Sequence, residues 1–216
     1  MSRTRTAVLI SGRGSNMAAL IEAAKNPSYP AEISLVLSND PDAAGLELAR
    51  KEGIMAIGIN HENFETREEF EDALQRELEA AEITLVCCAG FMRLMTESFV
   101  EKWRNRMINI HPSLLPAYKG LESHTRVLRD GVRITGCSVH YVRAAMDSGP
   151  IIMQAAVPVR NNDTPDSLDE RVLKAEHIIY PQALALVARG LVRVAGEEAK
   201  FSSSDRESPP LISPAS

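Results

Sequence analysis

The sequence is short of cysteine, of long apolar runs and of positive charge, and each shortage removes a class of protein. Three cysteines in 216 residues, two of them adjacent at Cys87 and Cys88 inside an apolar stretch, form neither a disulfide framework nor a zinc-binding spacing. They read as core thiols of a reducing, cytoplasmic compartment, and no metal site is expected. No apolar run approaches the roughly 18 residues of a membrane span, and the first six residues lead straight into a strand pattern with no secretory signal. With 24 Lys and Arg against 29 Asp and Glu, the formal charge is −5, so neither a membrane nor a nucleic acid is an expected partner. Any anionic ligand has to be held locally. There is no internal repeat.

What is present suits one α/β domain with a buried core: 44% of the residues are hydrophobic and 25% charged. The alternation of strand and helix patterns predicts a single-domain, open, mostly parallel twisted sheet of Rossmann-like type. Helices cover both faces, and antiparallel strands are added toward the C-terminus. The domain is expected over 1–195 and a flexible tail over 196–216, because the stretch from Phe201 to Ser216 is rich in Ser and Pro and has no apolar period.

Thr6 to Ser11 is a short apolar run that stops at Gly12-Arg13-Gly14-Ser15-Asn16, after which Met17, Leu20, Ile21 and Ala24 mark a helical face. Strand, glycine-rich turn and helix in that order offer an anion free N–H groups and the positive end of a helix dipole. Ser15 and Asn16 are available both as caps and as ligand donors. The dinucleotide fingerprint asks for a third glycine where Met17 stands, and no Lys-Ser/Thr pair of a P-loop follows. A phosphomonoester site and a purely structural turn both stay open.

Glu32 to Ser38 predicts a second strand, followed by a helix with Asp40 as cap, Pro41 in its first position and Gly53 past its end. Met55 to Ile59 reads as a third strand. Thr66-Arg67-Glu68-Glu69 fits a capping box ahead of Phe70, Leu74 and Leu78. Arg67 lies in the first helical turn, where the dipole disfavours a cation unless an anion is near, and by itself it reads as an exposed arginine. Ile83 to Ala89 is apolar on both faces, as a central parallel strand would be, and ends at Gly90-Phe91-Met92-Arg93.

Asn109-Ile110-His111-Pro112-Ser113-Leu114-Leu115-Pro116 closes another apolar run with a carboxamide and an imidazole on one side of an extended segment. Alone it is a capped strand end. Ligands of open parallel sheets bind outside the carboxyl ends of the strands, and right-handed crossovers would bring Gly14 to Asn16, Gly90 to Arg93 and Asn109 to His111 onto that one edge. Ser123 to Asp130 predicts a helix closed by Gly131. Ile134 to Val142 predicts a strand with Ser138 and His140 on one face, His140 being either a partner of the site or an ordinary sheet histidine. Asp147 falls in a tight loop from Ala144 to Pro150 and reads locally as a turn residue, ahead of a strand over Ile151 to Val157. Asp163-Thr164-Pro165 opens the last long helix, with a kink expected near Pro181. Glu176 and His177 lie on different faces of it, so at most one points at the cleft.

SGRGSN at 11–16, LSND at 37–40, AGFMRLM at 89–95, NIHPSLLPAYKG at 109–120, GCSVHYV at 136–142, MDSGPII at 146–152 and AEHIIYPQAL at 175–184 resemble the phosphoribosylglycinamide formyltransferase family, over Thr6 to about Val194. The resemblance implies the formyltransferase variant of the fold. It also implies transfer of the formyl group of 10-formyltetrahydrofolate, a co-substrate, to the amine of glycinamide ribonucleotide, without a metal. Gly14, Ser15 and Asn16 would hold the ribotide phosphate, with Glu176 on its sugar or amine side. Met92, Arg93, Leu94 and Met95 would line the pterin pocket with Asn109 and the Arg143, Ala144, Ala145, Met146 and Asp147 loop, and Arg67 would face the folate. Asn109, His111 and Asp147 match the family's catalytic trio. In that reading Asn109 donates to the oxyanion of a tetrahedral intermediate, and His111 protonates the departing folate nitrogen with Asp147 as its carboxylate partner.

Lys119, Glu122 and Ser148 depart from the proline, histidine and glycine expected of the family, which bears on loop geometry and leaves the trio intact. Only small-molecule substrates are expected, with the chain a monomer or homodimer. Formyltetrahydrofolate hydrolase and methionyl-tRNA formyltransferase share the core. They are expected to carry an additional N-terminal or C-terminal domain, for which 216 residues leave no room. A non-catalytic folate- or nucleotide-binding relative is the alternative from another class, and loss of a trio member would favour it.

Overall fold

A computed structural model describes residues 3–202 and residue 213. Strand and helix alternate as β1 (Thr4–Ile10), α1 (Ser15–Ala24), β2 (Ala31–Ser38), α2 (Ala44–Lys51), β3 (Met55–Gly58), α3 (Arg67–Ala80) and β4 (Leu85–Cys88). Then come α4 (Glu97–Lys102), β5 (Met107–His111), α5 (Ser123–Arg129), β6 (Ile134–Tyr141), β7 (Ile151–Pro158), α6 (Pro165–Ala188), β8 (Val192–Ala195) and β9 (Glu198–Phe201). The main sheet has the order β3-β2-β1-β4-β5-β6-β7. Its first five strands are parallel, and β6 and β7 run antiparallel. The order reverses between β1 and β4, so their carboxyl ends open a crevice, the usual ligand position in such sheets.

The central strands are apolar at every position because both faces of the sheet are covered. In β1, Val8 and Ile10 pack with Met17, Leu20 and Ile21 of α1, Leu46 of α2 and Leu168, Val172 and Tyr180 of α6. Ala7 and Leu9 turn to the other side, against Phe70, Leu74 and Leu78 of α3 and Phe99 and Trp103 at α4. The capping box read from Thr66 and Glu69 is formed, and α3 starts at Arg67.

The structure departs from the sequence reading in three places. α2 begins at Ala44 rather than at Pro41, because the Asp40 carboxylate accepts the Asp42 N–H at 2.9 Å and folds its own segment into a turn. Pro41 then lies so close to Gly58 that a Cβ there would come within 2.4 Å of its Cα. The last long helix is as expected: α6 runs across Pro181 to Ala188, and the Pro181 carbonyl accepts from the Tyr29 hydroxyl at 2.6 Å. The short α4 was not foreseen. It is capped by Thr96, whose N–H and hydroxyl both donate to the buried Glu71 carboxylate. The domain boundary expected after 195 falls inside the β8–β9 hairpin, since Glu198 pairs back onto Ala195. The rest of the expected tail, apart from residues 202 and 213, lies outside the described residues. Among the described residues no helix is long and apolar enough to cross a membrane.

Candidate active site

The turn after β1 presents a bare helix N-terminus. Gly14 is the N-cap of α1 in the left-handed region, φ 72°, and no side chain caps the helix, so the first N–H groups of α1 are free for a ligand. A Cβ at Gly14 would also approach the Gly45 Cα to 3.2 Å, so the turn packs directly on the start of α2. Ser15 and Asn16 are the first helical residues rather than caps. Asn16 is buried and donates through Nδ2 to Glu176 Oε2 at 2.6 Å across the gap to α6. Its Oδ1 is buried with no partner, which leaves an acceptor beside the anion-type turn. Burial pushes the Glu176 carboxyl up in pKa, against the Asn16 hydrogen bond. His177 Nε2 is buried without a hydrogen-bond partner, and it is Glu176 that bonds to the turn.

A second cluster forms where β5 ends. β5 and β6 pair so that Asn109 faces His140 and His111 faces Ser138. The His140 Nδ1 lies 2.9 Å from the Tyr141 carbonyl and therefore carries a proton. Burial pushes the His140 pKa down, so the ring is neutral at pH 7 and its Nε2 is an acceptor. That Nε2 takes one N–H of the Asn109 amide at 3.2 Å. The Asn109 carboxamide is thus oriented by the strand behind it, with its second N–H uncommitted.

His111 is buried, and both of its ring nitrogens face acceptors. Nε2 is 2.9 Å from the Tyr118 carbonyl, and Nδ1 is 3.3 Å from Asp147 Oδ2. Two N–H donors on the ring would satisfy both. Asp147 Oδ2 also accepts the Gly120 N–H at 2.8 Å, and Oδ1 stands 3.7 Å from His140 Nε2. Asp147 reaches this position with φ 48°, a left-handed conformation that aspartate tolerates better than most residues. Gly149 makes the approach possible, because a Cβ there would lie 1.7 Å from the Tyr141 carbonyl that holds His140.

The cluster forms one end of a cavity of about 890 Å³ whose walls include Phe91, Met92, Leu94, Met95, Val142 and Met146. A mostly apolar pocket ending in a few polar groups is the usual build of a small-molecule site of this size. Arg93, Ala144 and Asp147 line it as well. Ala145 and Arg67 are exposed and do not line this cavity. Arg143 borders it, but its guanidinium turns away to Glu197 at 2.8 Å and Asn105 at 2.9 Å.

Sequence reasoning left several residues of the site unassigned. The backbone groups of Tyr118 and Gly120 give no sequence signal. His124 and Asp169, 3.2 Å apart in the cavity wall, come from α5 and α6, which no local pattern connects. For His140 the alternation with Ser138 was the available signal.

The cluster offers an amide donor, an imidazole and a carboxylate; of the nucleophile types nearby, burial pushes the Cys88 thiol up to about 12, and the Ser123 and Ser138 hydroxyls donate to the Tyr118 and Ser113 carbonyls. Such a set suits stabilising an oxyanion and moving a proton. Comparison with known proteins agrees in kind. Residues 4–184 match the family described as formyl transferase. The human trifunctional purine biosynthetic protein adenosine-3 is 49% identical over 92% of this chain, and the chain spans 20% of that protein's length. Phosphoribosylglycinamide formyltransferase of Escherichia coli strain K12 is 41% identical over 87% of this chain and 88% of its own. The crystal structure of glycinamide ribonucleotide transformylase 1 from Symbiobacterium toebii superposes with a TM-score of 0.90 at 42% identity, covering 92% of this chain and 94% of that one.

Proposed function

The chain belongs to the formyl transferase family, and from that premise we propose that it transfers the formyl group of 10-formyltetrahydrofolate to the amine of glycinamide ribonucleotide. The products are formylglycinamide ribonucleotide and tetrahydrofolate, and the step belongs to purine biosynthesis. The observation that carries this reading is the pairing of two unlike sites. An uncapped helix N-terminus with the Asn16–Glu176 pair suits a phosphorylated, amine-bearing substrate, and an apolar cavity closed by Asn109, His111 and Asp147 suits a flat, folate-sized one. Three free, buried cysteines support a reducing, cytoplasmic setting.

In this proposal the phosphate sits on the N–H groups of Ser15 and Asn16 and on the Ser15 hydroxyl, and the Asn16 Oδ1 and Glu176 accept from the sugar or amine. The pterin lies along the backbone of Met92 to Met95, opposite the loop from Arg143 to Asp147. The neutral amine attacks the formyl carbon, and the second Asn109 N–H meets the oxyanion as it forms. The attacking nitrogen must lose one proton and the folate nitrogen must gain one, so His111 gives a proton to the leaving nitrogen and takes back the one that the attacking nitrogen releases, while Asp147 orients the ring. In this conformation the His111 Nε2 proton is held by the Tyr118 carbonyl, so delivery exchanges that acceptor for the substrate. Positioning and electrostatics supply the rate.

A direct assay tests the reading. Protein mixed with 10-formyltetrahydrofolate is expected to change the folate spectrum only when glycinamide ribonucleotide is added. Deformylation at the same rate without the ribotide would assign the protein to hydrolysis instead. The phosphate turn has its own expected result. Ser15→Ala combined with Asn16→Ala should raise the ribotide KM about 10- to 100-fold, the loss of one or two hydrogen bonds to a charged group, with the folate KM within about twofold. Equal rises in both KM values would make the turn structural.

A further inference from the structure

We infer that Ser11 is a positioning residue that couples the two substrate loops, so that ribotide on the Gly12 to Asn16 turn tightens folate binding along Gly90 to Met95. This rests on the reading above of which loop takes which substrate. Ser11 is the first residue past β1 and the residue before the glycine-rich turn. Its N–H donates to the Gly90 carbonyl at 3.1 Å, and its Oγ accepts the Met92 N–H at 2.7 Å. The start of one loop therefore holds the other by two hydrogen bonds across the β1–β4 crevice.

The polarity of this link is set from β2. The single Ser11 hydroxyl proton goes to Asn39 Oδ1, which leaves an oxygen lone pair for Met92. Asn39 is buried. Its carbonyl accepts the His61 N–H at 3.3 Å and lies 3.0 Å from His61 Nδ1, so Asn39 is itself anchored. On the other side the Gly12 carbonyl accepts from Gly45 N at 3.0 Å. The turn is thus clamped at its first residues and bare at its last ones. The folate loop contrasts with it: Phe91 and Met95 pack against the core, but Met92 and Leu94 between them are 67% and 63% exposed, so the Ser11 bond is what holds the Met92 backbone. A ligand that orders the turn orders Ser11, and through Met92 it orders the loop before folate arrives.

The test uses the full chain, glycinamide ribonucleotide and a folate analogue that lacks a transferable formyl group. Saturating ribotide is expected to lower the analogue Kd about fivefold, with the reciprocal effect on the ribotide. In Ser11→Ala that ratio should fall to about one, and in Ser11→Thr, which keeps the hydroxyl, it should return. An unchanged ratio in Ser11→Ala, a ratio of one in the unaltered protein, or loss in both variants overturns the proposal. A second reading needs no variant: amide exchange at Met92 should slow when ribotide alone is added, and unchanged exchange counts against the coupling. Ribotide-dependent turnover with uncoupled binding in the unaltered protein defeats only the role of Ser11. Absence of ribotide-dependent turnover in the unaltered protein defeats the functional reading and this inference with it.

Discussion

His111→Ala is expected to lower kcat about 10³-fold, the middle of the range for losing a positioned proton donor, while glycinamide ribonucleotide still binds with a Kd within about twofold of normal. The two halves of the result have separate causes. The ring is buried between the Tyr118 carbonyl and the Asp147 carboxylate, and alanine removes the N–H groups that meet both. His140, the other imidazole of the cluster, does not replace it, because it is neutral with its single N–H committed to the Tyr141 carbonyl. The groups proposed to hold the ribotide, Asn16 and Glu176, hydrogen-bond to each other and not to His111. Calorimetry should therefore find the binding heat retained in a protein that no longer turns over. Turnover at the normal rate would remove His111 from the chemistry, and loss of ribotide binding would mean that the ring supports the fold instead.

Asn109→Ala should cost about 10²- to 10³-fold in kcat, the usual effect of deleting one oxyanion donor, with both KM values little altered. The oxyanion exists only in the transition state, so its donor contributes nothing to ground-state binding. The substitution also strips the buried His140 Nε2 of its hydrogen-bond donor, an orphaning that costs about 1–3 kcal/mol. A lowered Tm should accompany the kinetic defect. Raised KM values with kcat intact would make Asn109 a substrate-binding group and take it out of the transition-state account.

Much of this protein is legible in one dimension, and the illegible parts share a cause. Val8 and Ile10 face one core and Ala7 and Leu9 the other, so a run apolar at every position already indicates a strand covered on both sides. The Thr66–Glu69 capping box is a bond between near neighbours and shows in the sequence as it does in the fold. Asp40 misleads for a related reason: a short acidic side chain before a proline suits a helix cap and a turn equally, and packing of Pro41 on Gly58 selects the turn. α4 has only 6 residues, too few for a periodic pattern, and β9 is mostly exposed and polar, so neither announces itself.

The candidate site divides along the same line. Asn109 and His111 share a side because a strand has a period of two, and the Gly14 to Asn16 turn reads as an anion seat because a helix begins there. Both follow from local backbone geometry, which neighbouring residues dictate. The 3.3 Å approach of Asp147 to His111 does not: it depends on a left-handed aspartate and on Gly149 lying against the Tyr141 carbonyl, both products of how one loop packs on one strand. The state of His140 depends on the β5–β6 register, and the direction of Arg143 on a hairpin far along the chain. Local pattern was enough to choose the elements and the residue types with chemical potential. Distances, protonation states and partners were left to tertiary packing, because each is set by groups remote in sequence whose burial and approach only the folded chain creates.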